Sequence, residues 1–381
     1  MPVPLLDLNA QNLPLESELQ EAFRRVLRSG QFILGSEIDH FEKHIAQMVG
    51  AQHAVSVSSG TDAILLALMA LDIKAGDEVI CPSFTFFATA GGIARTGATP
   101  VFVDSCPDSF NLDPNLLEAK ITNRTKAIIP VHLFGQSADL DPILKISKSH
   151  GLAVIEDAAQ ALGATYRGQP VGSLGTFGTF SFFPTKNLGG FGDSGLVTTN
   201  NDELAEKARL LRTHGSKPKY YHKYIGANFR MDPLQAALIG VKLPHYPDYI
   251  EKRLANAIYY SQQLSDLGFD HARVESSNLK MILPESCSQS GHIWNQYTLR
   301  ILGTDHRDAL KTHLTNLQIG SEIYYPVPLH QQECFAYLQN KPEDFPVSNQ
   351  LAQEVLSIPI FPELSEGQRN EVVAGIKSFW N

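Results

Sequence analysis

The sequence predicts an α/β protein: a mostly parallel sheet forms a large domain, residues 1–245, and a smaller α+β domain follows, residues 246–381. Three observations lead to this. The 381 residues exceed what one minimal core needs. Between residues 54 and 199, short β-branched runs alternate with longer amphipathic stretches, as in parallel sheets with helices on both faces. After residue 200 this alternation stops, and strands and helices follow in a less regular order.

The individual elements follow from hydrophobic periodicity and turn residues. The predicted strands are AVSVSS (54–59), EVICPS (78–83), TPVFVD (99–104), KAIIPVHLFG (126–135), LAVIED (152–157), GLVTT (195–199) and TLRIL (298–302). The predicted helices cover 60–73, 86–95, 139–150, 202–212, 233–243, 249–267, 305–317 and 366–379. The aromatic and basic segment 213–231 is predicted to be a long ordered loop.

Composition excludes several functional classes. Lys+Arg is 31 and Asp+Glu is 40, and a net charge of −9 argues against a nucleic-acid coat or an anionic membrane surface. The four cysteines are far apart without a CxxC pair, which argues against a disulfide scaffold or a metal site. There is no apolar run of membrane-spanning length and no visible secretory signal, so we expect a cytoplasmic protein.

The most informative stretch runs from Thr176 to Thr199. It contains a literal GxGxxG at Gly190, Gly192 and Gly195, but GLVTT continues as a strand where a dinucleotide-binding turn needs a helix. Lys186 lies between an aromatic run and this glycine-rich turn. A desolvated lysine there would have the lowered pKa that Schiff-base chemistry requires. The alternative is an ordinary surface lysine at a strand end.

Two further positions suggest a site at the carboxyl ends of the strands, where open α/β sheets bind ligands. Asp157 closes a predicted strand, and its carboxylate either pairs with a protonated pyridine nitrogen or caps a following helix. Ser59-Gly60-Thr61 lies between a strand and a helix, where amides and a hydroxyl form a phosphate site or simply a helix cap. Ser181 could add a second hydroxyl.

Taken together, these motifs resemble the DegT/DnrJ/EryC1/StrS family of pyridoxal-phosphate-dependent nucleotide-sugar aminotransferases. The resemblance covers nearly the whole chain and rests on SSGTDAI, CPSFTFFATA, GATPVFVD, PVHLFGQ, VIEDAAQALGA, SFFPTKNLGGFGDSG, LRTHG, GANFRMDPLQAA and YYPVPLH, in that order. It implies the aspartate-aminotransferase (type I) fold, pyridoxal 5'-phosphate as cofactor, and a homodimer with shared active sites.

The resemblance also implies roles for particular residues. Lys186 resembles the lysine that forms the Schiff base, and Asp157 resembles the partner of the pyridine nitrogen. Gln160 matches the glutamine beside the cofactor ring, and Phe86 stands where the family stacks an aromatic ring. The remaining cofactor contacts are the phosphate cradle and an asparagine from the neighbouring subunit: Gly60, Thr61, Ser181 and Asn228.

Substrate contacts follow less directly from the resemblance. The positions that resemble sugar or amino-donor contacts are Gly30, Phe32, Thr185, Arg230, Tyr324 and Tyr325. Family members often carry histidine at one of the two tyrosine positions, and tyrosine or tryptophan in place of Phe86. A phenylalanine still stacks on a ring, so the expected cofactor is unchanged.

The implied reaction has two halves. An amino donor, with glutamate expected, would displace Lys186 from the cofactor, and the freed lysine amine would move the proton, which leaves pyridoxamine phosphate and a 2-oxo acid. A keto sugar on a nucleoside diphosphate would then receive the amino group by the reverse steps. The branch of the family that dehydrates sugars has histidine in place of this lysine, so Lys186 favours transamination. The alternatives are a dehydratase or lyase of the same fold, and a regulatory protein that binds ligand without turnover.

Charge is unevenly distributed along the chain. Residues 207–231 carry seven Lys and Arg residues and no Asp or Glu. Part of this basic segment is expected to be a solvated helix face. The part that ends in Asn228 and Arg230 would attract a diphosphate-linked sugar in spite of the overall negative charge.

Overall fold

The computed structural model describes residues 2–267, 269–271, 280–303 and 305–380. The strands are β1 (His53–Val57), β2 (Glu78–Pro82), β3 (Thr99–Val103), β4 (Thr125–Ile128), β5 (Ala153–Asp157), β6 (Thr165–Tyr166), β7 (Gln169–Pro170), β8 (Phe177–Ser181), β9 (Gly195–Thr199), β10 (Asp270–His271), β11 (Met281–Leu283), β12 (Ser290–Gly291), β13 (Tyr297–Ile301) and β14 (Val355–Ile358).

Helices surround these strands and link them. They are α1 (Leu8–Asn12), α2 (Glu16–Ser29), α3 (Ser36–Val49), α4 (Gly60–Ala70), α5 (Ala88–Arg95), α6 (Leu140–His150), α7 (Asp202–Arg212), α8 (Pro233–Lys242), α9 (Tyr246–Ser265), α10 (His306–Asn316), α11 (Pro346–Glu354) and α12 (Glu366–Trp380). Within the described ranges, no helix combines the length and the apolar character that crossing a lipid bilayer requires.

The central sheet has seven strands in the order β1-β9-β8-β5-β4-β2-β3. The pairs β8–β5, β5–β4, β4–β2 and β2–β3 are parallel, while β9 runs antiparallel to both β1 and β8. Helices α4, α5 and α7 pack on one face, and α3, α6 and α8 pack on the other. The predicted α/β architecture with a mostly parallel sheet is therefore confirmed.

Local sequence signals predicted several helix and strand boundaries correctly. The Asn201 side chain accepts a hydrogen bond from the Leu204 amide at 3.0 Å, so α7 begins where the capping signal predicted. GLVTT forms β9, and no helix opens within the glycine-rich turn before it, which confirms that this GxGxxG is not a dinucleotide-binding turn. The segment 213–231 contains neither helix nor strand, also as predicted.

Other boundaries differ from the prediction. The strand predicted over 126–135 ends at Ile128, because Pro130 has no amide hydrogen and a short turn follows in which Phe134 has φ 58°. Helix α5 begins at Ala88 rather than at 86, which leaves Phe86 in the loop after β2. Helix α9 begins at Tyr246, three residues before the predicted start.

A second, smaller core forms around the sheet β10-β11-β13-β14 with α9, α10 and α12. The predicted boundary at 245 coincides with the start of α9, and the division at that point stays a prediction. Early residues of α9 such as Tyr249 pack on the large core, whereas Tyr260 and Leu264 belong to the small one. Val3 also lies in the small core, and its amide donates to the Gln318 carbonyl at 2.9 Å.

A buried carboxylate holds the centre of the large sheet together. Glu156 of β5 is fully buried, and its Oε2 accepts a hydrogen bond from His132 Nε2 at 3.0 Å. Three further donors, at 2.7–2.8 Å, are the main-chain amides of Gly172, Leu174 and Gly175. Because the carboxylate receives four hydrogen bonds, its burial is compensated, and it ties the 172–175 loop to β5.

We expect Glu156→Ala to lower the free energy of unfolding by about 3–5 kcal/mol, because four buried donors lose their acceptor. Urea unfolding followed by circular dichroism measures this change. Glu156→Gln is the matched control, since it keeps the shape and one acceptor oxygen, and it should lose clearly less. Equal losses in both variants would show that the charge rather than the acceptor geometry matters.

Candidate active site

Three of the predicted site residues lie at one edge of the central sheet. Asp157 ends β5, Ser181 ends β8, and Phe86 follows β2 in the loop before α5. These three strands are parallel to one another, so their carboxyl ends lie at the same edge. In the register of β5 and β8, Asp157 is opposite Thr179, two residues before Ser181.

The Asp157 carboxylate is buried but only partly satisfied. Its Oδ2 accepts a hydrogen bond from Thr89 Oγ1 at 2.8 Å, and its Oδ1 accepts one from the Ala159 amide at 3.2 Å. Burial raises the pKa of Asp157, and the nearby positive charge of Lys186 acts in the opposite direction. No helix follows within the described residues 158–164, so the helix-cap alternative is wrong. Each oxygen retains capacity for another donor.

Lys186 lies in a turn after β8, where its amide donates to the Phe183 carbonyl at 2.8 Å. Its side chain is partly buried, and burial lowers the pKa of the amine to about 8 while the Asp157 carboxylate raises it. No described residue forms a hydrogen bond or an ion pair with this amine. An ordinary surface lysine would be hydrated and close to its usual pKa, so this alternative does not describe Lys186.

Gln160 links the loop after β5 to two other parts of the site. Its Oε1 accepts a hydrogen bond from the Phe134 amide at 2.7 Å, and its Nε2 donates to the Tyr325 hydroxyl at 3.3 Å. The rings of Phe86 and Tyr325 have centroids 6.0 Å apart. The structure therefore brings Gln160, Tyr325 and Phe86 together, although they come from three distant segments.

The start of α4 faces the end of β8. Ser59 caps this helix, because its Oγ accepts a hydrogen bond from the Asp62 amide at 3.0 Å. A Cβ added at Gly60 would lie 2.7 Å from the Ser181 Cβ, so only glycine lets the serine approach the helix N-terminus this closely. Gly60, Thr61 and Ser181 thus form a concave group of amides and hydroxyls suited to an anion.

Arg230 lies across the sheet from Ser181, and Asn228 precedes it by two residues. Cα registers run across the sheet from Ser181 to Gly195, then to Val57, and then to Arg230. Three strand spacings amount to about 14 Å between the first and the last of these residues. Asn228 is exposed, two residues before Arg230 along this edge.

The other predicted substrate positions fall into two places. Gly30 ends α2 with φ 62°, and both it and Phe32 are exposed in the segment that leads to α3. Thr185 and Tyr324 line one cleft between the large core and the small sheet. Tyr325 points instead to Gln160, as described above.

Nearly the whole chain matches the family that its motifs suggested. The model of the DegT/DnrJ/EryC1/StrS aminotransferase family matches residues 14–377. The chain belongs to this family. The predicted family and enzyme class are therefore confirmed.

Relatives of known name span essentially the full chain. The chain is 48% identical to a "Pleiotropic regulatory protein" of Geobacillus stearothermophilus, covering 100% of this chain and 99% of the relative. It is 44% identical to a UDP-N-acetyl-3-dehydro-alpha-D-glucosamine 3-aminotransferase of Acidithiobacillus ferrooxidans, covering 98% and 97%. It is 42% identical to a dTDP-3-amino-3,6-dideoxy-alpha-D-galactopyranose transaminase of Aneurinibacillus thermoaerophilus, covering 99% of each.

Solved structures agree with the sequence relatives. DesV of S. venezuelae, in complex with a ketimine intermediate, superposes with a TM-score of 0.92 at 40% identity, covering 99% of this chain and 98% of that one. NtdA of Bacillus subtilis, with bound cofactor PMP, superposes with a TM-score of 0.90 at 30% identity, covering 99% and 85%. These neighbours confirm the predicted aminotransferase fold and the cofactor class of the family.

Sequence reasoning missed several residues of this DegT/DnrJ/EryC1/StrS site. Thr89, in the first turn of α5, donates to Asp157 and lies within the CPSFTFFATA motif. Asn187 and Asn295 line a small cavity with Lys186, and the Oδ1 atom of each is buried without a partner among the described residues. Asn295 had no signal, because it is more than a hundred residues away along the chain and joins the site only through folding.

The lowered pKa of Lys186 gives a direct test. In protein freed of cofactor, competitive labelling of Lys186 by acetic anhydride should rise with pH with a midpoint near pH 8, because the neutral amine reacts. Mass spectrometry of the labelled peptide measures this. Asp157→Asn should move the midpoint below 8, since the negative charge that raises this pKa is gone. A midpoint near 10.5 in the unaltered protein would contradict the burial of the amine.

Proposed function

We propose that this chain is a pyridoxal-phosphate-dependent aminotransferase that moves an amino group from an amino acid to a keto group of a nucleotide-linked sugar. The observation that carries the proposal is the combination, at the carboxyl edge of the sheet, of a partly buried lysine with a lowered pKa, Lys186, and a buried, incompletely satisfied acid, Asp157, whose charges influence each other. Such pairs of perturbed groups are typical of catalytic sites.

The residues present fit pyridoxal phosphate. Asp157 has spare acceptor capacity for a protonated ring nitrogen, and the 60–61 amides with Ser181 suit a phosphate group. Phe86 is 56% exposed at the same edge, so its ring is free to stack on a flat ligand. When bound, the cofactor supplies an aldehyde carbon that bonds to amines and a ring that stores an electron pair.

In the proposed reaction, Lys186 is the group that moves protons. With a pKa of about 8, its amine can both accept and release a proton near neutral pH. Asp157 would hold a positive charge on the group that it faces, because its carboxylate is buried and forms no ion pair with a described residue, although the charges of Lys186 and His132 both act on it. Gln160 keeps Tyr325 in place and orients the 133–135 turn below the site.

We propose a ketone at C3 of the sugar, since relatives over the full chain carry names with 3-dehydro and 3-amino sugars. The nucleoside diphosphate would bind near the basic segment 207–231, whose exposed side chains include Tyr220 and Tyr221. A diphosphate suits this local positive field, and the exposed rings suit a base. The amino donor is proposed to be glutamate.

We also propose a homodimer with shared sites. Four phenylalanines in the loops that follow β2 and β8 are between 42% and 56% exposed, although the chemistry requires water to be excluded: Phe86, Phe87, Phe183 and Phe191. Exposed apolar groups of this kind mark interfaces. Arg230 is about 14 Å across the sheet from Ser181, and Asn228 is exposed two residues before it, so Asn228 would serve the site of a second copy.

A regulatory role is the second candidate, and the 48% identical relative called a pleiotropic regulatory protein favours it. Binding without turnover would not require a lysine amine beside a buried acid. The response of the cofactor's visible absorption band to an amino donor separates the two candidates.

We expect purified protein to absorb visible light through a lysine-bound cofactor and to lose this band when glutamate is added. A panel of UDP-, dTDP- and GDP-linked 3-keto and 4-keto sugars should then restore the band for one substrate, with an amino sugar as product. Mass spectrometry identifies that product. Lys186→Ala should lower the rate by about 100- to 10,000-fold, because the proton-transfer group is lost.

Lys74, an exposed lysine, provides the control for that variant, and Lys74→Ala should leave the rate unchanged. Sugar conversion without loss of amino donor would identify a dehydratase or lyase instead. Cofactor binding with no spectral response to any amino acid or sugar would favour the regulatory role.

Shared sites predict complementation between two inactive variants. Lys186→Ala and Asn228→Ala should each be inactive alone, yet a mixture refolded together should recover about a quarter of the activity, since half of the dimers are mixed and each has one intact site. Steady-state assays on the mixed sample measure this recovery. If each site belongs to one chain, the mixture stays as inactive as its parts.

A further inference from the structure

A cleft opens between Thr185, next to the catalytic lysine, and the small sheet. Its walls combine apolar side chains with hydroxyls and amides. The apolar part includes Leu5, Leu6 and Ile358, and the polar part includes Tyr324, Asn295 and Gln296. Among the described residues that line the cleft, Arg253 is the one with a charge.

The Arg253 guanidinium is only partly satisfied. Its side chain is 2% exposed, and Nη1 donates to the carbonyls of Trp294 at 3.1 Å, Asn295 at 3.4 Å and Ile360 at 3.0 Å. Nε is buried with no hydrogen-bond partner among the described residues. Because neutral carbonyls cannot balance a full positive charge, this arginine still lacks an anion.

Burial lowers the pKa of Arg253 to about 10, while Tyr246 and, to a smaller extent, Glu363 act in the opposite direction. No described carboxylate lies within ion-pair distance of the guanidinium. One Glu363 oxygen is itself buried without a partner, so the two groups do not compensate each other directly. Arg253 is therefore a buried cation in the lining of an open cleft, where it can pair with an anionic ligand.

We propose that this cleft binds the carboxylate of the amino donor, with Arg253 as its charged partner. The inference rests on the proposed aminotransferase function and adds the location and residues of the donor subsite. One fixed planar cation among apolar walls suits a single carboxylate on a methylene chain. A diphosphate carries more charge and suits the basic segment 207–231 better.

The cleft is positioned to deliver a donor to Lys186. Thr185 precedes the lysine in the chain, and Asn295 lines both this cleft and the small cavity that contains Lys186. A donor held by Arg253 would therefore reach past Asn295 towards the lysine. Arg253 acts in this arrangement as a specificity-determining residue for the donor, not as a proton-transfer group.

The test uses the holoenzyme without any sugar, and glutarate as the probe, a dicarboxylate with no amino group. Calorimetry should give a measurable affinity that falls about ten- to a hundredfold in Arg253→Met, since a charge-assisted hydrogen bond is lost. Arg253→Lys keeps the charge and should lose less. Butyrate, with one carboxylate, and inorganic phosphate are the comparison ligands.

A second variant leaves the Arg253 hydrogen bonds intact. Gln296→Glu has the same shape but introduces a competing negative charge beside Arg253, so glutarate binding and the glutamate-driven loss of the cofactor band should weaken about tenfold or more. Gln296→Met removes the polar group without adding charge and should change binding by less than about threefold. Melting curves and the cofactor band confirm that each variant is folded and loaded.

Unchanged glutarate affinity in folded Arg253→Met and Gln296→Glu would overturn the proposal. Phosphate binding that depends on Arg253, with no binding of glutarate, would also overturn it, because the anion would then be of another class. Since the probe needs neither sugar nor turnover, glutarate binding is measured even if no sugar is aminated. Failure of the subsite and failure of the proposed function are thus distinguishable.

Discussion

The site depends on two consecutive acids, both buried at the end of one strand. Glu156 receives four hydrogen bonds and is satisfied by the fold itself. Asp157, one residue later on the opposite face, receives only two. Successive side chains of a strand point to opposite faces, so the same strand end can anchor the scaffold on one side and leave an acid available on the other. The fully bonded acid stabilises the strand that holds the incompletely bonded one.

Lys186 and Asp157 have opposite responses to the same burial. Removal from water disfavours both charges, which lowers the pKa of the amine and raises that of the carboxyl, while their mutual attraction works against each shift. The attraction is too small to cancel the desolvation of either group. The pKa values of both groups therefore lie closer to neutral pH than those of exposed groups would. This balance requires that neither group forms a stronger ion pair with a third residue. At Asp157, the hydrogen bond comes from the hydroxyl of Thr89, which is neutral and forms no ion pair.

Much of this arrangement could be predicted from the sequence, and the reasons for the failures are physical. Asp157, Ser181 and Phe86 follow strands, and parallel strands place such residues at one edge, so their proximity follows from local pattern alone. The strand predicted over 126–135 was too long, because β-branched composition hid a turn whose Phe134 amide holds Gln160. The roles of Arg253 and Asn295 could not be predicted from the sequence. Arg253 lies in the middle of α9 and Asn295 lies in an irregular segment, and each joins the site only through tertiary packing.

The chain is proposed to bind two kinds of anion, and each would bind at a different group of positive charges. The basic segment 207–231 carries seven Lys and Arg residues, of which Arg212 is buried against Glu42, and Lys207 and Lys217 form ion pairs with acids outside the segment. Its exposed charges, Lys219 and Lys223 among them, attract a diphosphate from solution but discriminate weakly among anions. Arg253 is a single charge that is 2% exposed, and it has a fixed orientation because three carbonyls hold its Nη1. A buried, oriented guanidinium interacts strongly with a planar carboxylate and leaves little room for a larger anion. One reaction centre could therefore accept a small amino acid and a large nucleotide sugar in turn, without one ligand occupying the charged contact of the other.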